Sequence, residues 1–392
     1  MTLEADARRR FVCRVGICAA AFALAARRTS SAEASAWEPP PRFTAPDPSS
    51  EEGGLWALMA HEEQRIRRGQ LLIRDPGLRL YLQGVACKLG GEHCPDIRVY
   101  PLRTPWFNAS MAPNGMMQVW SGLLLRVDNE AQLAAVLGHE LGHYLQRHSL
   151  ERLKDARSRS AFATLISPLG LGGSLGGLLV AAGSFSYTRD QEREADRIGL
   201  ELMRRAGYDS REASVVWSNL LDEASVHPGA NLSTTSPMFA THPASAERRN
   251  TLAELAGAGG GQLLEAEYLA STAPLRKVLL EDELKRAEFD ESVVLLTRLT
   301  KRSPERADLL YYRAEAYRLR AQDGDIELAL ADLNAASAIA QYPPEVDRSL
   351  GFILQSRGER AAAVQSFGRY LRASPDAADA PMIQSYIREL GS

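Results

Sequence analysis

The stretch from Asn129 to His148 constrains this chain more than any other. Leu133, Val136, Leu137 and Leu141 recur at helical spacing. Asn129 can cap the first turn, and Gln132 three residues later makes a capping-box-like pair. The spacing therefore predicts a helix over 129–148. Gly138 and Gly142 sit inside it, each at a cost of about 1 kcal/mol relative to alanine. They lie four residues apart, so both open the same face to close backbone approach.

The same helix carries His139-Glu140-Leu141-Gly142-His143. A helix turns about 100° per residue, so His139 and His143 share a face and can bind one ion side by side. Glu140 falls at the rim of that face, where a carboxylate can activate an attacking water without being a ligand. This points to metal-assisted hydrolysis with Zn2+, one ion per chain. His148 lies about 140° round from His143 and is expected to face solvent.

A catalytic zinc needs a third protein ligand and an open fourth position. A second helix is predicted from about Asp190 to Ala206, closed by Gly207. Glu192 and Asp196 lie four apart on one of its faces. Glu192 can complete the ligand set, and Asp196 can accept a hydrogen bond from a ligating imidazole. Glu194 is the rival, but it sits about 200° from Glu192, so both cannot face the metal.

The rest of the chain supplies a setting. Arg8, Arg9 and Arg10 precede an apolar run, Phe11 to Ala26, and Ala34-Ser35-Ala36 offers a cleavage site. Residues 1–36 read as an export signal, of Sec or twin-arginine type. Residues 37–54 read as a linker. Removal of the signal leaves Cys87 and Cys94, a disulfide if the chain is exported and two free thiols otherwise. A formal net charge of −3 over 392 residues argues against bulk nucleic-acid binding.

From Leu55 to Leu89 the pattern is helical. Ile97 to Tyr100 alternates like a strand, and Asn114-Gly115 marks a turn before a return strand at 117–120. That return strand is expected to lie at a sheet edge and pair with an extended substrate. Residues 161–187 are apolar and hold six glycines. They read as a flap or membrane-surface element, or otherwise as buried core. Segments 286–304, 308–340 and 347–375 read as helix pairs. Ser292, Ala329 and Ala363 occupy matching places, a period resembling tetratricopeptide repeats. The fold class is α+β: a mainly helical domain with a small sheet at 55–255, a connecting helical segment at 256–285 and an all-α repeat region at 286–392.

Several short motifs follow one another in order: Asn108-Ala109, Gly122-Leu123-Leu124, His139 to His143, Glu192 to Gly199, and Thr241-His242-Pro243 with Arg248. Together they resemble the HtpX-type zinc metallopeptidase family (M48), which includes the CAAX prenyl endopeptidases. The architecture is similar to its exported, periplasmic branch with C-terminal repeats. The resemblance implies a gluzincin site with His139, His143 and Glu192 as ligands and Glu140 as catalytic base. It also implies that His242 lies near the metal and can gate it. Arg248 or His242 is then a candidate to stabilise the oxyanion. Protein or peptide substrates from the cell envelope are implied, as is a protein partner on the repeats. The alternative is a chaperone or assembly factor whose peptidase is latent.

Overall fold

The computed structural model describes residues 37–155, 186–226, 237–242 and 245–391. The expected signal at 1–36 lies outside them. So does the glycine-rich 161–187 segment, apart from Ser186 and Tyr187. Residues 37–40 belong to a separate unit and carry neither helix nor strand. The architecture below is that of residues 41–392.

The expected helix at 55–89 is two helices, α1 (Glu51–Arg68) and α2 (Pro76–Gly90). Pro76 sits in the first turn of α2, with Asp75 capping it through a bond from Leu78 N. A short 3-10 turn follows, and a Cys87–Cys94 disulfide pins it to the end of α2.

The sheet has three strands: β1 (Arg98–Leu102), β2 (Ala109–Met111) and β3 (Met116–Trp120). Their order is β1-β3-β2, with β3 parallel to β1 and antiparallel to β2. The expected hairpin at Asn114-Gly115 forms, with Gly115 at φ 85°. The expectation that 117–120 is an edge strand is wrong. All five residues of β3 are buried and both its sides are paired. The outer side of β1 is covered by 71–73, through Ile73 N to Pro101 O and Arg103 N to Leu71 O. Among the described residues, no strand pairs with the outer side of β2. Trp120 N bonds Asn108 O and Ala112 N bonds Met116 O, so alternation turns the backbone groups of Ala109 and Met111 away from β3.

After α3 (Ser121–Arg126) comes α4 (Glu130–Leu145), buried along its whole length. Asn129 caps it by accepting from Gln132 N at 2.8 Å, while the Gln132 amide reaches Asp128 N instead of the cap. The helix stops at Leu145, three residues early, because Arg147 adopts φ 58° and turns the chain into α5 (His148–Asp155). Next are α6 (Arg189–Arg205), α7 (Glu212–Ala224), α8 (Pro237–Thr241) and α9 (Ala246–Ala256). A Cβ on Gly142 would meet Ala195 Cα at 2.9 Å, and one on Gly199 would meet His139 N at 2.9 Å. The glycines thus let α4 and α6 touch backbone to backbone.

The remainder is helical: α10 (Glu265–Thr272), α11 (Arg276–Lys285), α12 (Phe289–Arg302), α13 (Ala307–Arg320), α14 (Asp325–Ser337), α15 (Glu345–Ser356), α16 (Arg360–Ala373) and α17 (Ala380–Gly391). Segment 286–304 is one helix, not a pair, because the run from Phe289 to Arg302 is unbroken. From α12 to α17 each helix packs on the next. Ser292, Ala329 and Ala363, on α12, α14 and α16, are all fully buried. A buried charge network ties this region to the rest. Arg126 on α3 bonds Glu223 on α7 at 2.6 Å and both oxygens of Glu283 on α11 at 2.9 and 3.0 Å. Arg286 adds bonds to Glu283 and Glu291, each 2.6 Å, and Arg298 pairs with Asp128 and Glu223.

Candidate metal centre

Four elements bring the site together. Helix α4 presents His139, Glu140 and His143. Helix α6 enters through a complete capping box between Thr188 and Gln191, which fixes its first turns and hence Glu192 and Asp196. His242 follows α8, with its N–H bonded to Met238 O at 2.7 Å. Arg248 lies in the first turn of α9, capped by Ser245. All seven side chains are buried.

One ligand atom from each of His139, His143, Glu192 and His242 lies within 4.8 Å of the others. His139 Nε2 is 3.1 Å from both His143 Nε2 and His242 Nδ1. Glu192 Oε1 is 2.8 Å from His242 Nδ1 and 3.3 Å from His143 Nε2. Glu140 Oε1 is 3.5 Å from His242 Nε2. Glu194 faces the other way: its carboxylate is 3.4 Å from His148 Nε2 and its side chain is 42% exposed.

The orientation of the donors is fixed from behind. Asp196 Oδ1 lies 2.9 Å from His139 Nδ1, where it accepts a hydrogen bond when that nitrogen carries the ring proton. Arg248 holds Asp196 with two bonds, 2.6 and 2.8 Å, and stacks 4.0 Å over the Trp217 ring. Its Nη1 is also 2.8 Å from Glu192 Oε2. Arg248 thus bonds Asp196, approaches Glu192 and lies against the His139 ring, its Nη2 3.1 Å from Nδ1, a different place from the oxyanion role considered above.

The electrostatics follow from these contacts. Burial works against charge on Glu192, but His242 and Arg248 hold its carboxyl well below the ordinary range. Burial also opposes charge on Asp196, and Arg248 and His139 keep it low. Burial pushes Glu140 up, against the pull of His242 and His139. Burial drives His143 well down, so it is neutral and able to ligate.

These residues fit a divalent cation. Three imidazole nitrogens crowd together in the interior with lone pairs to satisfy. Glu140 Oε1, Glu192 Oε2 and Arg248 Nη1 are buried without a directed hydrogen bond, the close approach of the last two notwithstanding. Three carboxylates, Glu140, Glu192 and Asp196, face the single guanidinium of Arg248, and although burial opposes it, Glu192 and Glu140 raise His242 above the ordinary imidazole range. A set of imidazoles with one carboxylate suits Zn2+.

Sequence reasoning missed two neighbours and misplaced a third. The Tyr187 ring stacks on His143 at 3.7 Å and 20°. Trp217 lies under Arg248. Nothing in their spacing marks either one. His148, expected in solvent, is buried, with Nδ1 3.0 Å from His143 Nδ1. The 140° projection failed because the helix ends before His148.

Comparison with known proteins agrees with this arrangement. The sequence pattern of Peptidase family M48 matches residues 73–256. The Beta-barrel assembly-enhancing protease of Escherichia coli (strain K12) is 31% identical over 180 residues, 41% of this chain and 36% of that protein. The Mitochondrial metalloendopeptidase OMA1 of Schizosaccharomyces pombe is 35% identical over 158 residues, 40% of this chain and 45% of that protein. OMA1 of Bos taurus is 31% identical over 169 residues, 40% of this chain and 32% of the relative. The chain thus spans less than half the length of these relatives. Matched pattern, ordered motifs and converging donors lead to one assignment: residues 73–256 of this chain are a Peptidase family M48 domain.

Proposed function

We propose that this protein is a zinc metalloendopeptidase that hydrolyses peptide bonds of envelope proteins, in quality control or outer-membrane protein assembly. The observation that carries the reading is the buried His139–His143–Glu192–His242 group with Glu140 at its rim. His139, His143 and Glu192 would hold the ion. When bound, zinc supplies Lewis-acid polarisation of the scissile carbonyl and acidifies a water.

The chain's own residues do the rest. Glu140, raised by burial and with Oε1 unbonded, takes the proton of the attacking water at Oε1 and delivers it to the leaving amide nitrogen. Asp196 and Arg248 keep His139 and Glu192 in orientation. The substrate backbone pairs with the outer edge of β2 at Ala109 and Met111, in place of the central strand expected earlier.

The test is zinc stoichiometry of the wild type beside Glu192→Gln and Glu194→Gln, followed by peptide cleavage by Glu140→Gln. The reading expects about one zinc per chain, lost at Glu192 and kept at Glu194. It expects Glu140→Gln to keep zinc and lose turnover by about 10²- to 10⁴-fold. Absence of zinc from wild type purified without chelator would sink it.

A second reading, a chaperone or assembly factor with a latent peptidase, is supported by His242 lying among the ligand atoms, where it would be a fourth protein donor to a bound ion. The ordered stack of α12 to α17 would form the surface for a protein partner. Rescue of an envelope defect by Glu140→Gln would put this reading first. Export to the periplasm rests on the leader pattern and the Cys87–Cys94 bond. Among the described residues no helix is long and apolar enough to cross a membrane.

A further inference from the structure

Arg276, the first residue of α11, is a half-buried arginine without a carboxylate. Its Nε is buried and makes no hydrogen bond. Among the described residues no acid pairs with it, and the acid that acts on it from a distance, Asp308, is held by Arg306 through bonds of 2.9 and 2.5 Å. Other guanidiniums nearby are taken: Arg302 by Glu265 at 2.7 Å, and Arg298 by Asp128. Burial lowers the Arg276 guanidinium from its ordinary value, and Arg306 adds to that. A cation withdrawn from water and left unpaired costs free energy, so stability alone gives no reason for an arginine here.

The side chain lines a pocket between α3 and the helices α10 to α13. Leu124, Leu125, Leu269, Leu279, Leu299 and Leu309 form its walls, with Arg276, Arg302, Asp128 and Glu265 as its charged groups. About 50 Å³ is open inside, room for about four water-sized groups at about 10–15 Å³ each. That size excludes a long acyl chain. A bare inorganic anion would lose hydration against leucine walls and gain nothing from them. What fits is a carboxylate with about four apolar atoms beside it. The last residue of a polypeptide has that form. Its side chain and its terminal carboxylate leave the same Cα, and the rest of the chain departs by the third bond through the open side.

We propose that this pocket captures the C-terminal residue of a protein chain, its aliphatic side chain against the leucine walls and its carboxylate held by Arg276 in a charge-assisted, bidentate contact. None of the lining residues belongs to the metal centre, so the site is a second one and does not depend on zinc. It gives the junction between the peptidase domain and the helical stack a role in recognition.

The experiment uses the full chain carrying Glu140→Gln, so that no probe is cleaved. Fluorescence anisotropy follows an N-terminally labelled glycine–serine peptide ending in leucine, beside its C-terminal amide, its D-leucine form and a peptide ending in serine. The free L-leucine acid should bind. The amide should bind about 10- to 100-fold more weakly, the loss of one charge-assisted contact, and the serine peptide should also be weaker. Arg276→Gln in the same background should lose a similar factor for the acid and no longer tell acid from amide. Arg276→Lys, which keeps the charge without the fork, should recover part of the loss. Leu269→Phe, which narrows the pocket, should weaken the leucine peptide by a route that leaves Arg276 in place. Because Arg276 makes no bond in the free protein, Arg276→Gln should unfold in urea at or above its parent's midpoint. A midpoint well below it would mark a structural arginine and overturn the site. So would an acid that fails to bind at millimolar concentration, or one that binds Arg276→Gln as tightly as its parent. Equal binding of the D and L peptides would show that the chain has no set exit, as in a site for a free aliphatic acid, and would overturn the chain end as occupant. Zinc content, measured in parallel, is expected to match between Arg276→Gln and its parent, so failure here leaves the metal reading standing.

Discussion

The molecule buries two dense charge networks, and they differ in what shares the interior with the carboxylates. Around Arg126 each guanidinium meets carboxylates at hydrogen-bond distance: Glu223 and Glu283 on Arg126, Glu283 and Glu291 on Arg286, Asp128 and Glu223 on Arg298. Around His139 the carboxylates outnumber the one guanidinium, and Glu140 Oε1 and Glu192 Oε2 have no directed bond. The first network sets four carboxylates against three guanidiniums, leaves Arg286 Nε without a directed bond, and fastens α11 and α12 to α3 and α7. The second is incomplete without a cation. Burial of charge therefore serves adhesion in one place and ligand capture in the other, and the converging imidazoles of the second tell them apart.

The contrast is sharpest under loss of one member. Glu192→Gln should abolish zinc binding and with it turnover, by more than the about 10²- to 10⁴-fold expected of a lost acid–base step, measured by metal analysis and peptide cleavage. Arg126→Met should leave zinc at one per chain but destabilise by about 3–5 kcal/mol, since it takes one of two guanidinium partners from each of Glu223 and Glu283 in the interior. Urea unfolding checks this. The two networks share no residue, so the Arg126→Met loss should be the same with and without chelator to within about 0.5 kcal/mol. A loss that vanishes after chelation would break the comparison, because the networks would then be one.

Acid should separate them further. Although burial opposes its charge, Arg126 and Arg286 hold Glu283 below the ordinary glutamate range. Its contribution is present above its unfolded value of about 4.3 and is lost as pH falls through the lower folded value. The stability gap between wild type and Glu283→Gln should therefore narrow on acidification. Glu223, raised by burial, works in the opposite direction, so its glutamine variant should show no such narrowing. The smallest effect is expected at Lys277–Glu345, an ion pair 3.2 Å long with Lys277 68% exposed. Lys277→Ala should change stability by about 0–1 kcal/mol. A larger change there would mean that exposure is a poor guide to which pairs matter.

Much of the site was legible because helical geometry is local. His139, Glu140 and His143 share one helix, and Glu192 parts from Glu194 by rotation alone. Gly138 and Gly142 announced close approach before any partner was known. What failed was what depends on tertiary pairing. Strand order cannot be read from alternation, so 117–120 was assigned to an edge and proved central. The reading of His148 assumed an unbroken helix, and one residue at positive φ, Arg147, reversed its direction. Tyr187 and Trp217 reach the site through packing, which leaves no mark in spacing. The junction network was equally hidden, since Arg126 and Glu283 lie 157 residues apart.

The backbone contact between α4 and α6 has one more consequence. No side chain stands between Gly142 and Ala195, so the gap between the histidine helix and the glutamate helix is a fixed gauge. Backbone contact sets the minimum of that gap, so packing elsewhere cannot narrow it. A methyl at Gly142, built 2.9 Å from Ala195 Cα, would act as a shim of known thickness. Successive shims at 138, 142 and 199 would turn metal affinity into a calibrated readout of helix spacing. They would measure how many tenths of an ångström the coordination sphere forgives.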